Sequence, residues 1–129
     1  MTQSAAAGMR AVATLPRAIE VPASASWVDT GIEVTQGAEL EITASGQWSN
    51  AGPPAKGPGG FDGYVHPGTV LASAPLAALI GKVGEEMFAV GERFAGRSPA
   101  TGRLYLSIND TAGTFGDNQG VLKVTITVK

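Results

Sequence analysis

The sequence predicts an all-β protein, a two-sheet antiparallel β-sandwich built from one domain. Short segments in which apolar and polar residues alternate recur along the chain, and 18 glycines and 8 prolines separate them. No stretch has the apolar periodicity of a helix, and no strand–helix–strand rhythm is present. The 129 residues suit a single domain, which can bury roughly two-thirds of the surface that its unfolded chain exposes.

The first third of the chain contains three predicted strands. We interpret residues 1–17, which are rich in alanine, as a loose N-terminal leader, and the domain as residues 18–129. The first short strand is predicted at 18–21. Alternating residues predict a second strand from Val28 to Val34, and a third strand around 40–44 follows a turn signal at Gln36 and Gly37.

The middle of the chain is dominated by a long irregular segment. Residues 50–69 contain four prolines and six glycines, which predicts a long loop. The apolar run from Leu76 to Val83 is compatible with a helix or a strand, and the neighbouring glycines favour a strand. Further strands are predicted at 88–90 and around Phe94.

Residues 109–120 stand out chemically, because they combine carboxylate and carboxamide side chains with three glycines. Alternating segments at 104–108 and 122–128 flank them, which predicts a loop that joins two strands of a sheet and is exposed at its end. Oxygen-rich loops bent by glycine suit Ca²⁺, which takes about 6–8 oxygen ligands. The same residue types are also the commonest in turns. Composition alone therefore leaves an ordinary turn and a calcium loop as alternatives.

Composition disfavours several other classes of protein. A net charge of −2 without a basic patch argues against nucleic acid as a partner. No apolar run approaches the ~20 residues of a membrane span, so we expect no membrane insertion. With one histidine, no cysteine and no paired-carboxylate signature, we expect no enzyme activity. The N-terminus resembles a conventional signal peptide poorly, which predicts a cytoplasmic protein or one exported by another route.

Residues 109–120 resemble the calcium-site loop of the LecA-type (PA-I-like) galactophilic bacterial lectins. Further segments are similar in order and spacing: 44–53, which contains Trp48; the pair His66–Pro67; and the apolar run 77–84. The resemblance implies a jelly-roll or galactose-binding-like sandwich. It also implies a calcium-dependent lectin that binds galactose or α-galactosides through hydroxyls coordinated to Ca²⁺.

The resemblance assigns roles to individual positions. The implied Ca²⁺ ligands are the carbonyls of Ala51 and Thr114 and the side chains of Asp110, Asp117 and Asn118. The implied sugar-contacting residues are Tyr64, His66, Thr69, Asp110, Thr111, Thr114 and Asp117, with His66 near the 6-hydroxyl. The chain departs from the family pattern at Asp117, where the family has Asn, and at Thr69, where it has a longer Gln.

The expected partners are galactose-containing glycans and further copies of the chain, as a dimer or tetramer. The C-terminal strand, which ends at Lys129, is a candidate interface element. Trp48 has two readings, a core residue or a surface for the sugar ring, and we favour the core. Alternative functions are a structural calcium-binding β-sandwich and an accessory carbohydrate-binding module of a larger glycan-active enzyme.

Overall fold

The computed structural model describes residues 16–49, 55–61, 65, 68–110 and 115–129. These residues form eight strands: β1 (Arg17–Pro22), β2 (Val28–Val34), β3 (Glu39–Ser49), β4 (Leu79–Val83), β5 (Glu86–Ala89), β6 (Arg93–Arg97), β7 (Gly102–Ile108) and β8 (Gln119–Val128). A 3₁₀ turn at Phe115–Asp117 precedes β8. No helix in this part of the chain is long and apolar enough to cross a membrane.

The strands form two four-stranded sheets, which confirms the predicted sandwich. The first sheet has the order β1-β8-β3-β6 and the second has the order β2-β7-β4-β5. Every neighbouring pair is antiparallel. The longest ladder joins β3 to β8, from Leu40 opposite Val128 to Ser49 opposite Gln119.

Alternating apolar side chains from both sheets form the core between them. The fully buried apolar residues of the three longest inward-facing rows are Leu40, Ile42 and Trp48 of β3, Leu104, Leu106 and Ile108 of β7, and Leu122, Val124 and Ile126 of β8. Burying a side chain of this size contributes about 1.5–3 kcal/mol relative to exposing it. A register shift of one residue would turn each row toward water, so these rows define the register.

The loop after β7 differs from its prediction. It connects β7 in one sheet to β8 in the other, so the expectation that it joins two strands of one sheet is wrong. Its described ends are also buried rather than exposed, since Asn109 is 0% and Asp110 and Asn118 are each 6% exposed. Alternation identifies the inward face of each strand. It does not identify the sheet, because both sheets face the same core.

The apolar run predicted as a strand from Leu76 begins to pair only at Leu79. Ala77 has a φ of 67°, a left-handed conformation that interrupts an extended chain. The Leu76 carbonyl accepts a hydrogen bond from the Phe61 amide at 2.9 Å. The preceding residues therefore form a turn packed against the 55–61 segment.

The C-terminal strand β8 lies inside its sheet, between β1 and β3. Its backbone is paired on both sides along most of its length. An interface through β8 would therefore use its outward side chains rather than backbone pairing, and the predicted interface stays a prediction.

Candidate functional site

The candidate site lies at one end of the sandwich, where β3 and β7 end and β8 begins. Ser49 at the end of β3 is opposite Gln119 at the start of β8. Ala77 connects this region to the end of β7. Its carbonyl accepts a hydrogen bond from the indole of Trp48, and its amide donates one to the carbonyl of Asn109. The two loops implied in calcium binding thus leave neighbouring strand ends.

Trp48 is a core residue, as favoured above. Its side chain is 1% exposed and belongs to the main apolar cluster. Its indole Nε1 donates a hydrogen bond to the carbonyl of Ala77 at 2.8 Å. Its backbone pairs with Lys56 through two hydrogen bonds, of 2.8 and 2.7 Å. Trp48 therefore orients the end of β3 just before residue 50.

Asp110 follows directly after the end of β7. The residue is 6% exposed, and its carbonyl accepts a hydrogen bond from the Val70 amide at 3.0 Å. Asp110 is thereby held beside the segment that carries Thr69. A carboxylate on a backbone held in this way suits a hard cation.

Asn118 provides the most direct test of whether a cation fits. Its Nδ2 donates to the Ala23 carbonyl at 3.1 Å, and its amide donates to the Phe115 carbonyl at 3.0 Å. The Oδ1 atom is buried and has no hydrogen-bond partner within the described part of the chain. An unsatisfied buried acceptor costs about 1–3 kcal/mol. A neutral amide oxygen with a fixed orientation and no hydrogen-bond partner is a suitable ligand for Ca²⁺, so this residue fits a calcium site.

Thr69 uses its hydroxyl within its own segment. The residue is 7% exposed, and its Oγ1 donates to the Leu71 carbonyl at 3.2 Å. The hydroxyl proton therefore has a backbone acceptor two residues along the chain. The side chain is shorter than the Gln of the family pattern and lies close to the backbone.

The structure leaves several predicted positions untested. Ala51, Tyr64, His66, Thr111 and Thr114 lie outside the described residues, as does the side chain of Asp117. Among the residues that are described, no group of three His, Cys, Asp or Glu side chains could hold a metal ion. The described part of the predicted calcium site therefore consists of Asp110 and Asn118.

Asn109 is a residue of this region to which the sequence assigned no role. It is fully buried, and its side chain forms hydrogen bonds with Leu71, Ala74 and Pro75. In the sequence it resembles any turn residue. The available signal was a carboxamide immediately after a buried alternating strand, where a buried side chain must find hydrogen-bond partners.

Arg103 forms two ion pairs on the outer face of the second sheet, within the described part of the chain. Arg103 contacts Asp29 at 3.0 Å and Glu33 at 2.6 Å across an irregularity in the β2–β7 ladder. The hydrogen bond from the Gly31 amide, together with Arg103, lowers the pKa of the Asp29 carboxyl below its ordinary value of 3.8. These exposed pairs hold the irregular part of β2, and such pairs contribute little each.

Comparisons with known proteins agree with this fold. The family model described as "PA-IL-like protein" matches residues 18–129. Lectin A of Photorhabdus laumondii subsp. laumondii is 33% identical over 111 residues, which cover 84% of this chain and 88% of that protein. A solved structure described as "EclA N-terminal domain; PllA-like lectin" superimposes with a TM-score of 0.70 at 24% identity, covering 87% of this chain and 95% of the other. This structural likeness supports the sandwich fold.

The family match covers nearly the whole described domain, and the sequence relative is itself a lectin. These matches confirm the predicted family and the expectation of a carbohydrate-binding protein rather than an enzyme. The chain belongs to the PA-IL-like family of lectins.

Proposed function

We propose that this chain binds galactose or terminal α-galactosides through sugar hydroxyls coordinated to one Ca²⁺. The observation that carries the proposal is the buried Asn118 Oδ1, which has no hydrogen-bond partner in the described part of the chain. Its amide nitrogen is held by Ala23, so the orientation of the oxygen is fixed before any ligand arrives. The resemblance of residues 109–120 to the calcium-site loop of the LecA-type lectins supports Ca²⁺ as the cation for this oxygen.

The proposed ligand set combines the two loops at the end of the sandwich. Asp110, Asp117 and Asn118 contribute side-chain oxygens, and Ala51 and Thr114 contribute carbonyls. Asp117, in place of the family's Asn, adds negative charge and should strengthen cation binding. It also removes an amide donor, so a sugar hydroxyl at that position must donate.

Coordination solves a physical problem of sugar binding in water. A hydrogen bond from protein to a sugar hydroxyl replaces one from water and contributes only about 0.5–1.5 kcal/mol net. Bound Ca²⁺ supplies inner-sphere coordination of the 3- and 4-hydroxyls and polarises their protons. The carboxylates of Asp110 and Asp117 then accept charge-assisted hydrogen bonds, which are roughly twice as strong as neutral ones.

Discrimination between sugars is proposed to come from the surrounding residues rather than from the cation. His66 lies near the 6-hydroxyl in this proposal, with Tyr64, Thr69 and Thr111 beside the ring. The Thr69 hydroxyl donates to Leu71, so it contributes less to the 6-hydroxyl than a Gln would. We therefore expect galactose preference with modest affinity and a reduced dependence on the 6-hydroxyl.

Asp110→Ala tests the metal site. The wild-type protein should melt at a higher temperature in Ca²⁺ than in chelator, because the unfolded chain has no formed site. Asp110→Ala should abolish this difference. Asp29→Ala is the matched control, since it removes an exposed carboxylate on β2 and should leave the calcium effect intact. Unchanged calcium binding by Asp110→Ala would refute the ligand assignment.

A glycan array with and without Ca²⁺ tests the sugar. Binding should be confined to galactosides and should require the cation. Calcium-dependent binding to mannose or fucose ligands, with none to galactosides, would overturn the sugar assignment while leaving the metal site intact. Calcium binding without any sugar binding would favour a structural calcium site.

The proposal includes assembly into a dimer or tetramer. Weak single sites gain strongly when several bind one glycan surface, by factors of about 10²–10⁴. Light scattering at micromolar concentration measures the mass directly. A monomer mass would refute the oligomer.

A further inference from the structure

The side chain of Asn109 is fully buried, and a single stretch of chain supplies its hydrogen-bond partners. Nδ2 donates to the carbonyls of Leu71, Ala74 and Pro75 at 2.9, 3.0 and 3.0 Å. Oδ1 accepts a hydrogen bond from the Leu71 amide at 2.8 Å. Because Nδ2 carries two N–H groups and contacts three carbonyls, at least one N–H is shared between two carbonyls.

The backbone around Asn109 extends the same connection. The amide of Val70 donates to the Asp110 carbonyl at 3.0 Å, the amide of Ala77 donates to the Asn109 carbonyl at 2.7 Å, and the amide of Asn109 donates to Ala78 at 2.8 Å. The backbone of residues 109–110 is therefore hydrogen-bonded to Val70, before the stretch 71–75 that the Asn109 side chain binds, and to Ala77 and Ala78 after it. We call residues 68–75 the wall segment.

Four hydrogen bonds with the Asn109 side chain hold the wall segment. In the described residues it belongs to none of the eight strands. Within it, the Ala74 amide and the Thr69 hydroxyl donate to the Leu71 carbonyl at 3.1 and 3.2 Å, and Pro75 forms an isolated bridge with Val65. An apolar side chain at position 109 could fill the space, but it could not satisfy the carbonyls that meet there.

Residues 109–110 and the wall segment have different proposed roles in binding. Asp110, the residue after Asn109, is a proposed calcium ligand, whereas the wall segment carries Thr69 and follows His66 and Pro67 in the sequence. We propose that Asn109 is a positioning residue that couples the calcium ligand Asp110 to the wall that selects the sugar. This inference rests on the proposed galactose function and deepens it: the sugar's 6-hydroxyl is selected only while the wall is held in register with the cation.

Asn109→Asp tests this coupling. The variant keeps the shape and the acceptor for Leu71, but it replaces two donors by an oxygen that faces three carbonyls. Calorimetry in saturating Ca²⁺ should compare galactose with 6-deoxygalactose, as methyl glycosides. We expect the variant to bind galactose roughly tenfold more weakly, equivalent to ~1.4 kcal/mol, and its preference for galactose over 6-deoxygalactose to fall toward one.

Ser107→Ala is the matched control. Ser107 is fully buried near the end of β7, two residues before Asn109, and its hydroxyl donates to the Ile108 carbonyl at 3.2 Å rather than to the wall segment. This variant should lower the melting temperature without changing the ratio of the two affinities. A ratio that stays at the wild-type value in Asn109→Asp would overturn the inference, because a purely structural role changes stability alone.

Hydrogen exchange in the wild-type protein decides the question even if Asn109→Asp fails to fold. Galactose added to the calcium-loaded protein should slow exchange of the Val70 and Leu71 amides by about tenfold or more, because sugar binding stabilises the held wall. Galactose binding without any change at these amides would overturn the inference alone. A wild-type protein that binds no galactose would overturn the proposed function and this inference with it.

Discussion

Replacement of Asn118 by alanine should have opposite consequences with and without calcium. In the calcium-free protein, Asn118→Ala removes the buried Oδ1 that lacks a partner in the described residues, which relieves about 1–3 kcal/mol. It also removes the donor to the Ala23 carbonyl, which costs a similar amount. The two effects nearly cancel, so we expect the calcium-free stability to change by no more than ~1 kcal/mol.

The calcium-loaded protein should respond much more strongly. At a free Ca²⁺ concentration of about 100 times Kd, binding stabilises the wild-type protein by ~2.7 kcal/mol. If loss of the ligand weakens binding about 100-fold, the same concentration contributes only ~0.4 kcal/mol. For a domain of about 110 residues, 1 kcal/mol corresponds to roughly 4 °C in Tm. The calcium shift should therefore fall from about 11 °C to below about 2 °C.

Thermal melts in Ca²⁺ and in chelator measure both quantities. Asn118→Asp is the matched control, because it keeps an oxygen ligand and adds charge. It should retain the calcium shift while destabilising the calcium-free protein, where a carboxylate oxygen would face the Ala23 carbonyl. A full calcium shift in Asn118→Ala would show that Oδ1 is not a ligand. A large loss of calcium-free stability would show that the oxygen has a partner in the folded protein.

Three further predictions follow from the described contacts. Trp48→Phe should destabilise the domain by about 2–4 kcal/mol in denaturant melts, because it leaves a buried carbonyl unpaired and a cavity in the core. Gly60→Ala should destabilise strongly, since its Cβ would meet backbone atoms closer than 3.0 Å at a φ of +67°, whereas Gly59→Ala, with open space around it, should be nearly neutral. The Asp29 carboxyl, whose pKa lies below 3.8, contributes stability above that pH and loses it as the carboxyl protonates. Melting curves of Asp29→Asn and wild type should therefore differ at neutral pH and converge in acid; a difference that persists below the folded pKa of Asp29 would contradict the ion pair with Arg103.

The strands were largely predictable because their sequence carries the pattern of burial. Val28 to Val34 and the rows of β7 and β8 alternate in the sequence as they do in the sandwich. The start of β4 was predicted three residues too early. The apolar side chain of Leu76 indicates burial but not whether the backbone is extended. The turn there depends on the conformation of Ala77 and on close contact with Gly60, which is distant in the sequence.

The sequence named candidate residues for the site but could not predict how the fold arranges them. Oxygen-bearing residues around Asp110 and Asn118 left an ordinary turn and a cation loop as alternatives, and only the resemblance to a lectin family assigned them roles, which remain predictions. The crossing of this loop between the sheets could not be derived, because period-2 alternation is the same in either sheet. The role of Asn109 was invisible for a related reason, since its partners lie more than thirty residues away in the sequence.

The most direct test of calcium-dependent galactose binding is a calorimetric titration of one protein sample in two states. Methyl α-galactoside should be titrated into calcium-loaded protein and into the same protein after chelation. We predict saturable binding with one site per chain in the first titration and no detectable heat of binding in the second. Equal binding in both states would contradict a sugar site built on Ca²⁺, and absence of binding in both would contradict galactose as the ligand.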